Sequence, residues 1–114
     1  MSQSALFQLD NDLPWLDLGN GVQRKVMGFN QQLMLVKVRF EAGAIGSLHH
    51  HEHTQASYVE SGEFELTIGD HKKLLKQGDG YYVPPNEIHG CVCKTEGVLI
   101  DAFSPIREDF ISNK

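Results

Sequence analysis

The sequence predicts an all-β fold, built as a barrel or a sandwich of short strands. Residues 34–40, 64–68 and 98–103 alternate apolar with more polar side chains, which is the period of two that half-buried strands have. Gly, Asn, Asp and Pro recur at short intervals between such runs and indicate frequent turns. No long stretch has the apolar period of a helix, so we expect short helices only in residues 14–16 or in residues 107–111.

The three runs differ in what their two faces carry. The first has apolar side chains at every second position, and the second repeats this pattern: Met34, Val36, Val38 and Phe40, then Phe64, Leu66 and Ile68. The third has two interpretations. Either Val98, Ile100 and Ala102 form the buried face, or Leu99, Asp101 and Phe103 do, and alternation alone leaves both open. A buried Asp would need a cationic partner or a catalytic task.

Length, charge and cysteine usage limit the classes of protein. The chain has 114 residues and a net charge of −5, which predict one domain and exclude nucleic acid as a partner. No apolar run could cross a bilayer and no leader opens the chain, so the expected compartment is the cytoplasm. Cys91 and Cys93 have a poor spacing for a mutual disulfide, which agrees with a reducing compartment. An anionic ligand would have to be bound locally, by a metal or a specific Arg.

The histidines have the spacing of metal ligands. His49 and His51 are two residues apart and would lie on one face of a strand, Gln55 follows them, and His89 stands alone later in the chain. Neutral imidazoles and an amide oxygen are ligands for Zn, Fe(II), Ni, Co or Mn. The alternative is a solvated, His-rich loop. We therefore predict a divalent transition metal on His49, His51, Gln55 and His89.

The fourth ligand depends on where the first strand ends. His50 would point away from its two neighbours. If the strand continues past His51, His53 shares its face and competes with Gln55 as a ligand. If the chain turns after His51, Gln55 begins the next strand and faces inward, and the strand-like residues that follow favour this second interpretation.

The two histidine segments together resemble the two sequence motifs of the cupins. These are Gly43-x5-His49-x-His51-x3-Gln55-x6-Gly62 and Gly78-x5-Pro84-x-Asn86-x2-His89. The resemblance implies a single cupin barrel (a double-stranded β-helix, or jelly roll) as one domain over residues 1–114, with the metal-binding barrel at about residues 30–105. Dimers are expected for small cupins.

Three positions depart from the usual cupin pattern. Gln55 stands where cupins usually have Glu, Asn86 where they have Gly, and Cys93 where many have Asn. The first departure changes the chemistry, because an amide in place of a carboxylate leaves the ion more strongly Lewis acidic. It also removes the carboxylate of the two-His, one-carboxylate iron oxygenases.

Within the cupins, the chain is similar to the small KdgF-type proteins of pectin degradation in residues 18–26, 57–64 and 99–110. In that family, residues at the positions of Asp101, Phe103 and Arg107 belong to the active site beside a three-His, one-Gln metal site. The similarity therefore favours an inward Asp101. It implies Asp101 as the acid and base, Arg107 as a clamp for a carboxylate, and Phe103 as a wall that excludes water.

The resemblance also implies the reaction and the partner. The substrate would be an anionic sugar, a 4,5-unsaturated monouronate, and the product the linear 5-keto-4-deoxyuronate. No membrane or nucleic acid is expected as a partner, and a homodimer is. Two alternatives come from other classes: a cupin dioxygenase with a redox metal, and a non-catalytic cupin that binds a sugar or a metal.

Overall fold

The all-β prediction is confirmed by the computed structural model, which describes residues 3–111. The first two and last three residues of the expected domain lie outside this range. The described chain forms one sheet of eight strands. The strands are β1 (Leu16–Gly19), β2 (Val22–Phe29), β3 (Met34–Phe40), β4 (Ile45–His49), β5 (Thr54–Ile68), β6 (His71–Lys76), β7 (Gly80–Val83) and β8 (His89–Ser104).

Two long strands organise the sheet. Strands β5 and β8 have 15 and 16 residues and pair antiparallel along their whole length, from Thr54 opposite Ser104 to Ile68 opposite His89. The main strand order is β1-β2-β3-β8-β5-β6, while β4 adds to the first half of β8 and β7 to the first half of β5. Each long strand thus pairs with the other along its whole length and with two shorter strands on its opposite edge, and the sheet curves into the predicted barrel.

A bulge lies at the middle of the two long strands. Their register shifts between Val59 and Phe64, and Gly62 has a φ of +82° there. A Cβ atom at Gly62 would lie 2.6 Å from the Cα atom of Gly97, so only glycine fits. The last glycine of the first motif is therefore required by this close approach.

The core lies on the inward face of the alternating strands. Phe40 and Phe64 meet edge to face with ring centroids 5.2 Å apart, and Val59 and Leu99 pack with them. A second cluster contains Met34, Val36, Phe103 and Ile106. In the third run the buried residues are Leu99, Asp101 and Phe103, so the inward orientation of Asp101 is confirmed.

The helices are short. The C-terminal helix is confirmed as α1 (Glu108–Ile111), and a 3-10 helix covers Asp10–Asp12. A helix over residues 14–16 is wrong, because Leu16 already begins β1 and pairs with Arg24 across the β1–β2 ladder. No helix among residues 3–111 has the length and apolar character needed to span a membrane.

Candidate metal centre

The three histidines converge at one end of the barrel, from β4, from the loop that follows it and from β8. His49 ends β4 and lies directly opposite His89, the first residue of β8. The prediction that His49 and His51 share one strand is wrong, because β4 ends at His49 and residues 50–53 form a bend outside the strands. The carbonyl of His51 accepts a hydrogen bond from the N–H of Asn86 at 2.7 Å, which connects the loops of the two motifs.

The rings nevertheless form one cluster. Ring centroids are 5.6 Å apart for His49 and His51, 4.3 Å for His49 and His89, and 4.9 Å for His51 and His89. One ligand atom from each ring lies within 4.8 Å of the others, so the three histidines could hold a metal ion. His49 is exposed and His89 is buried, so the cluster spans from the surface into the barrel.

Backbone carbonyls set the tautomer of all three rings. The Nδ1–H groups donate to carbonyls two residues away, at 2.8 Å from His49 to Ser47, 3.1 Å from His51 to His53, and 2.9 Å from His89 to Glu87. Each Nε2 atom is then left with a free lone pair, as a metal ligand requires. Burial lowers the pKa of His51 and brings that of His89 to about 4, so both rings stay neutral near pH 7.

Two features of the polar atoms fit a cation. The buried Nε2 atom of His89 has no hydrogen-bond partner within the described chain. The Nε2 atom of His51 lies 3.0 Å from Oε1 of Gln55, although both atoms are acceptors once Nδ1 of His51 carries the proton. A positive ion beside these atoms would give Nε2 of His89 a partner and would remove the repulsion between Nε2 of His51 and Oε1 of Gln55.

The amide of Gln55 is oriented from the barrel interior. Its Nε2 donates to Oγ of Ser57 at 3.0 Å, and Ser57 donates to Oδ1 of Asp101 at 2.6 Å. Since a carboxylate only accepts, this chain directs the amide oxygen of Gln55 towards His51. The structure places Gln55 at the start of β5, buried and facing the cluster, as the second interpretation of the turn expected.

The competing histidines lie elsewhere. His53 is in the turn, where its Nε2 donates to the carbonyl of Ile106 at 3.2 Å, and it is not part of the three-histidine group. His50 is exposed.

Asp101 lies at the inner end of the same polar chain. It is 8% exposed, and burial raises its pKa to about 6, although the hydrogen bond from Ser57 and the charge of Arg107 lower it. Near neutral pH this carboxyl therefore exchanges protons more readily than an ordinary Asp.

Aromatic rings and two guanidinium groups surround a cavity of about 170 Å³ beside the cluster. Phe103 is buried and meets His51 edge to face at 5.7 Å. Arg107 lies over the rings of Phe103 and Phe110, at 5.2 and 4.3 Å from their centroids. All three predicted residues, Asp101, Phe103 and Arg107, line this cavity together with His49, Gln55 and His89.

Ser57 and Arg24 are polar residues of the site for which the sequence predicted no functional role. Ser57 is buried between Gln55 and Asp101, and Arg24 lines the cavity from β2. The alternation of side chains along a strand predicts the inward position of Ser57, because it follows Gln55 by two residues and lies on the same face. Arg24 gave no such signal, since its position depends on how β2 packs against the end of the chain.

An antiparallel barrel with convergent histidines from two motif loops defines the class of the cupins. The comparisons agree: residues 36–103 match the cupin domain family. The chain is 48% identical over 105 residues to the pectin degradation protein KdgF of Dickeya dadantii (strain 3937), with 90% of this chain and 96% of that protein covered. This chain therefore belongs to the cupin family, as a small cupin of the KdgF type.

Two solved structures have the same fold. An RmlC-like cupin from Shewanella frigidimarina NCIMB 400 is 47% identical, with a TM-score of 0.94 over 96% of this chain and 99% of that chain. KdgF from a Halomonas species is 37% identical, with a TM-score of 0.89 over 94% and 99% of the two chains. The fold prediction, a single cupin barrel, is thus confirmed.

Proposed function

We propose that this cupin is a metal-dependent enzyme that converts 4,5-unsaturated monouronates to the linear 5-keto-4-deoxyuronate. The observation that carries the proposal is the buried Asp101 next to a histidine cluster, in a cavity lined by guanidinium groups. This arrangement offers a proton acceptor, a metal site and a partner for a carboxylate in one space. The 48% identical relative named a pectin degradation protein supports the substrate class.

The reaction is an isomerisation that moves one proton. The anomeric hydroxyl loses its proton, the bond between the ring oxygen and carbon 1 breaks, and an aldehyde forms at carbon 1. The ring oxygen remains on carbon 5 as an enolate, and carbon 4 then accepts a proton to give the 5-keto group. No oxidant, reductant or second substrate is needed.

Each step requires a group that the cavity provides. Asp101 accepts the anomeric proton as a carboxylate and returns a proton to carbon 4 as an acid, which suits a pKa of about 6. Arg107 recognises the substrate carboxylate, because a guanidinium matches the planar geometry of that group. Phe103 covers the inner wall and limits access of water to the enolate.

The metal site is proposed to use His49, His51 and His89 with the amide oxygen of Gln55. Three imidazoles and an amide accept Zn, Ni, Fe, Co or Mn. When bound, the ion would act as a Lewis acid that stabilises the negative charge of the enolate oxygen.

The first test is an assay with and without a chelator. We expect the absorbance of the conjugated uronate to fall when the metal-loaded protein is added, and the rate to drop to background after metal removal. Adding back a divalent transition metal should restore it.

The same assay separates the alternatives. A dioxygenase would consume oxygen with the substrate, whereas the isomerisation consumes none. A sugar-binding cupin would bind the unsaturated uronate without changing its absorbance. Either result, on metal-loaded protein, would contradict the proposed reaction.

Replacing Ser57 by Ala should slow the reaction by roughly 10- to 100-fold, the effect of one hydrogen bond to a charged group. The substitution removes the donor that lowers the pKa of Asp101, so the acidic limb of the rate profile should move to higher pH. It also removes the acceptor that orients the amide of Gln55. Ser57→Thr retains the hydroxyl and should recover most of the rate; an unshifted pH profile in Ser57→Ala would refute this role.

A further inference from the structure

The cavity contains a second guanidinium, Arg24, that the proposed reaction does not use. Arg24 lies on β2, where it pairs with Leu16 of β1 and Val38 of β3. Its Cζ atom is 3.8 Å from the centroid of the Phe110 ring, and both residues line the cavity. The C-terminal helix α1 thus provides an aromatic surface against which this guanidinium is held.

The two guanidinium groups differ in what already binds them. Arg107 donates to both carboxylate oxygens of Asp109, from Nε at 3.2 Å and from Nη2 at 3.1 Å. Within residues 3–111, the side chain of Arg24 makes neither an ion pair nor a hydrogen bond. The N–H donors of Arg24 are therefore not engaged by any group in the described part of the chain.

The stacking on Phe110 leaves the edge of the Arg24 guanidinium available. A ring contact uses the flat face of the group, while all its N–H donors lie in the plane and point outward. A guanidinium held in this way is suited to a carboxylate with two parallel hydrogen bonds. Burial and the nearby charge of Arg107 lower the pKa of Arg24, although the charge of Asp109 raises it, so withdrawing this cation from water has a net cost. An anionic ligand would offset that cost.

The local charge also favours one anion. Arg24 and Arg107 carry two positive charges at this side of the cavity, and Asp109 neutralises one of them. These three groups together carry a positive charge, although the chain as a whole has a net charge of −5. The position thus favours an anionic ligand.

We propose that Arg24 joins Arg107 in binding the carboxylate of a uronate and is the residue that determines specificity for the acid, with Phe110 as its support. The substrate class rests on the proposed function, but the carboxylate site itself is a separate property. It can be tested by binding alone.

The experiment uses Arg24→Gln and Arg24→Lys in the metal-loaded protein. Calorimetry measures the binding of galacturonate and of its methyl ester, which lacks the negative charge. We expect Arg24→Gln to weaken galacturonate binding roughly 10- to 100-fold and to leave the ester nearly unchanged. Arg24→Lys should fall between, because it retains the charge without the planar fork. With the unsaturated uronate, Arg24→Gln should raise KM more than it lowers kcat.

The matched control is Arg39→Gln. Arg39 donates a hydrogen bond to Gln23, and its Cζ atom lies 4.5 Å from the centroid of the Trp15 ring. It does not line the cavity, so Arg39→Gln makes the same change in net charge outside the proposed carboxylate site. The proposal is overturned if Arg24→Gln binds galacturonate as tightly as the wild type, if acid and ester weaken equally, or if Arg39→Gln has the same effect. If the wild type binds galacturonate but does not turn over the unsaturated uronate, the proposed function fails and the binding arm still tests Arg24.

Discussion

Asp101→Asn should reduce kcat for the unsaturated uronate by roughly 10²- to 10⁴-fold, the usual contribution of a general acid–base group. The amide of Asn retains the shape and an acceptor for the hydroxyl of Ser57, but it cannot take up the anomeric proton. The loss would thus arise from chemistry, and KM should change little. The measurement is the initial rate at saturating substrate.

The pH profile gives a second signature of the same group. The reacting form of Asp101 is the carboxylate, so the wild-type kcat/KM should fall as the pH falls below about 6. A metal ion at the histidine cluster would lower the pKa of Asp101 below this value and move the acidic limb to lower pH. The residual activity of Asp101→Asn should lack the limb. A variant that keeps a rate within fivefold of wild type would remove Asp101 from the mechanism.

The free energy of unfolding of Asp101→Asn distinguishes a catalytic defect from a folding defect. Burial raises the folded-state pKa of Asp101 from 3.8 to about 6, so its contribution to stability is full below pH 3.8 and is lost as the pH rises through about 6. At pH 8 the wild type therefore holds an unfavourable buried charge. In metal-free protein, Asp101→Asn should increase the free energy of unfolding at pH 8 by on the order of 2–3 kcal/mol. An inactive but more stable variant would identify a functional carboxylate.

The strands were predictable because their signal is local. Residues 34–40 alternate in the sequence, and Met34, Val36 and Phe40 are buried in the structure. The helix at residues 14–16 was wrong because the partner of Leu16 is Arg24, a residue beyond the following turn. Pairing between strands is decided by contacts that a local pattern does not contain, and the same holds for the three partners that β5 and β8 each have.

The histidine cluster was predictable only as a set of residues. The spacing identified His49, His51 and His89, while the position of His51 in a turn follows from where β4 ends. Asp101 could be assigned inward only with the resemblance to a family, since alternation left both faces open. The contact of Arg24 with Phe110 joins the second strand to the last helix, and no periodicity within either segment encodes it.

Replacing a single histidine of the cluster should abolish binding of the proposed metal. The proposed activity should fall by at least about 10²-fold, since changes even to groups that support a ligand cost 10- to 100-fold. His49→Ala is the most informative variant, because His49 is exposed and its loss leaves no hole in the core. Elemental analysis of the purified protein should find about one metal ion per wild-type chain and much less in the variant. The melting temperature without metal should be nearly unchanged.

The chain provides its own matched controls for this experiment. His50→Ala removes an exposed imidazole between two proposed ligands and should retain both metal and activity. His53→Ala and Gln55→Ala then decide the fourth ligand. Because Oε1 of Gln55 lies 3.0 Å from Nε2 of His51, while His53 bonds the carbonyl of Ile106, Gln55→Ala should weaken metal binding more than His53→Ala. If His53→Ala weakens metal binding more than Gln55→Ala, His53 is the fourth ligand and Gln55 is not. The hydrogen-bond chain from Asp101 would then end at a Gln55 amide that binds no metal.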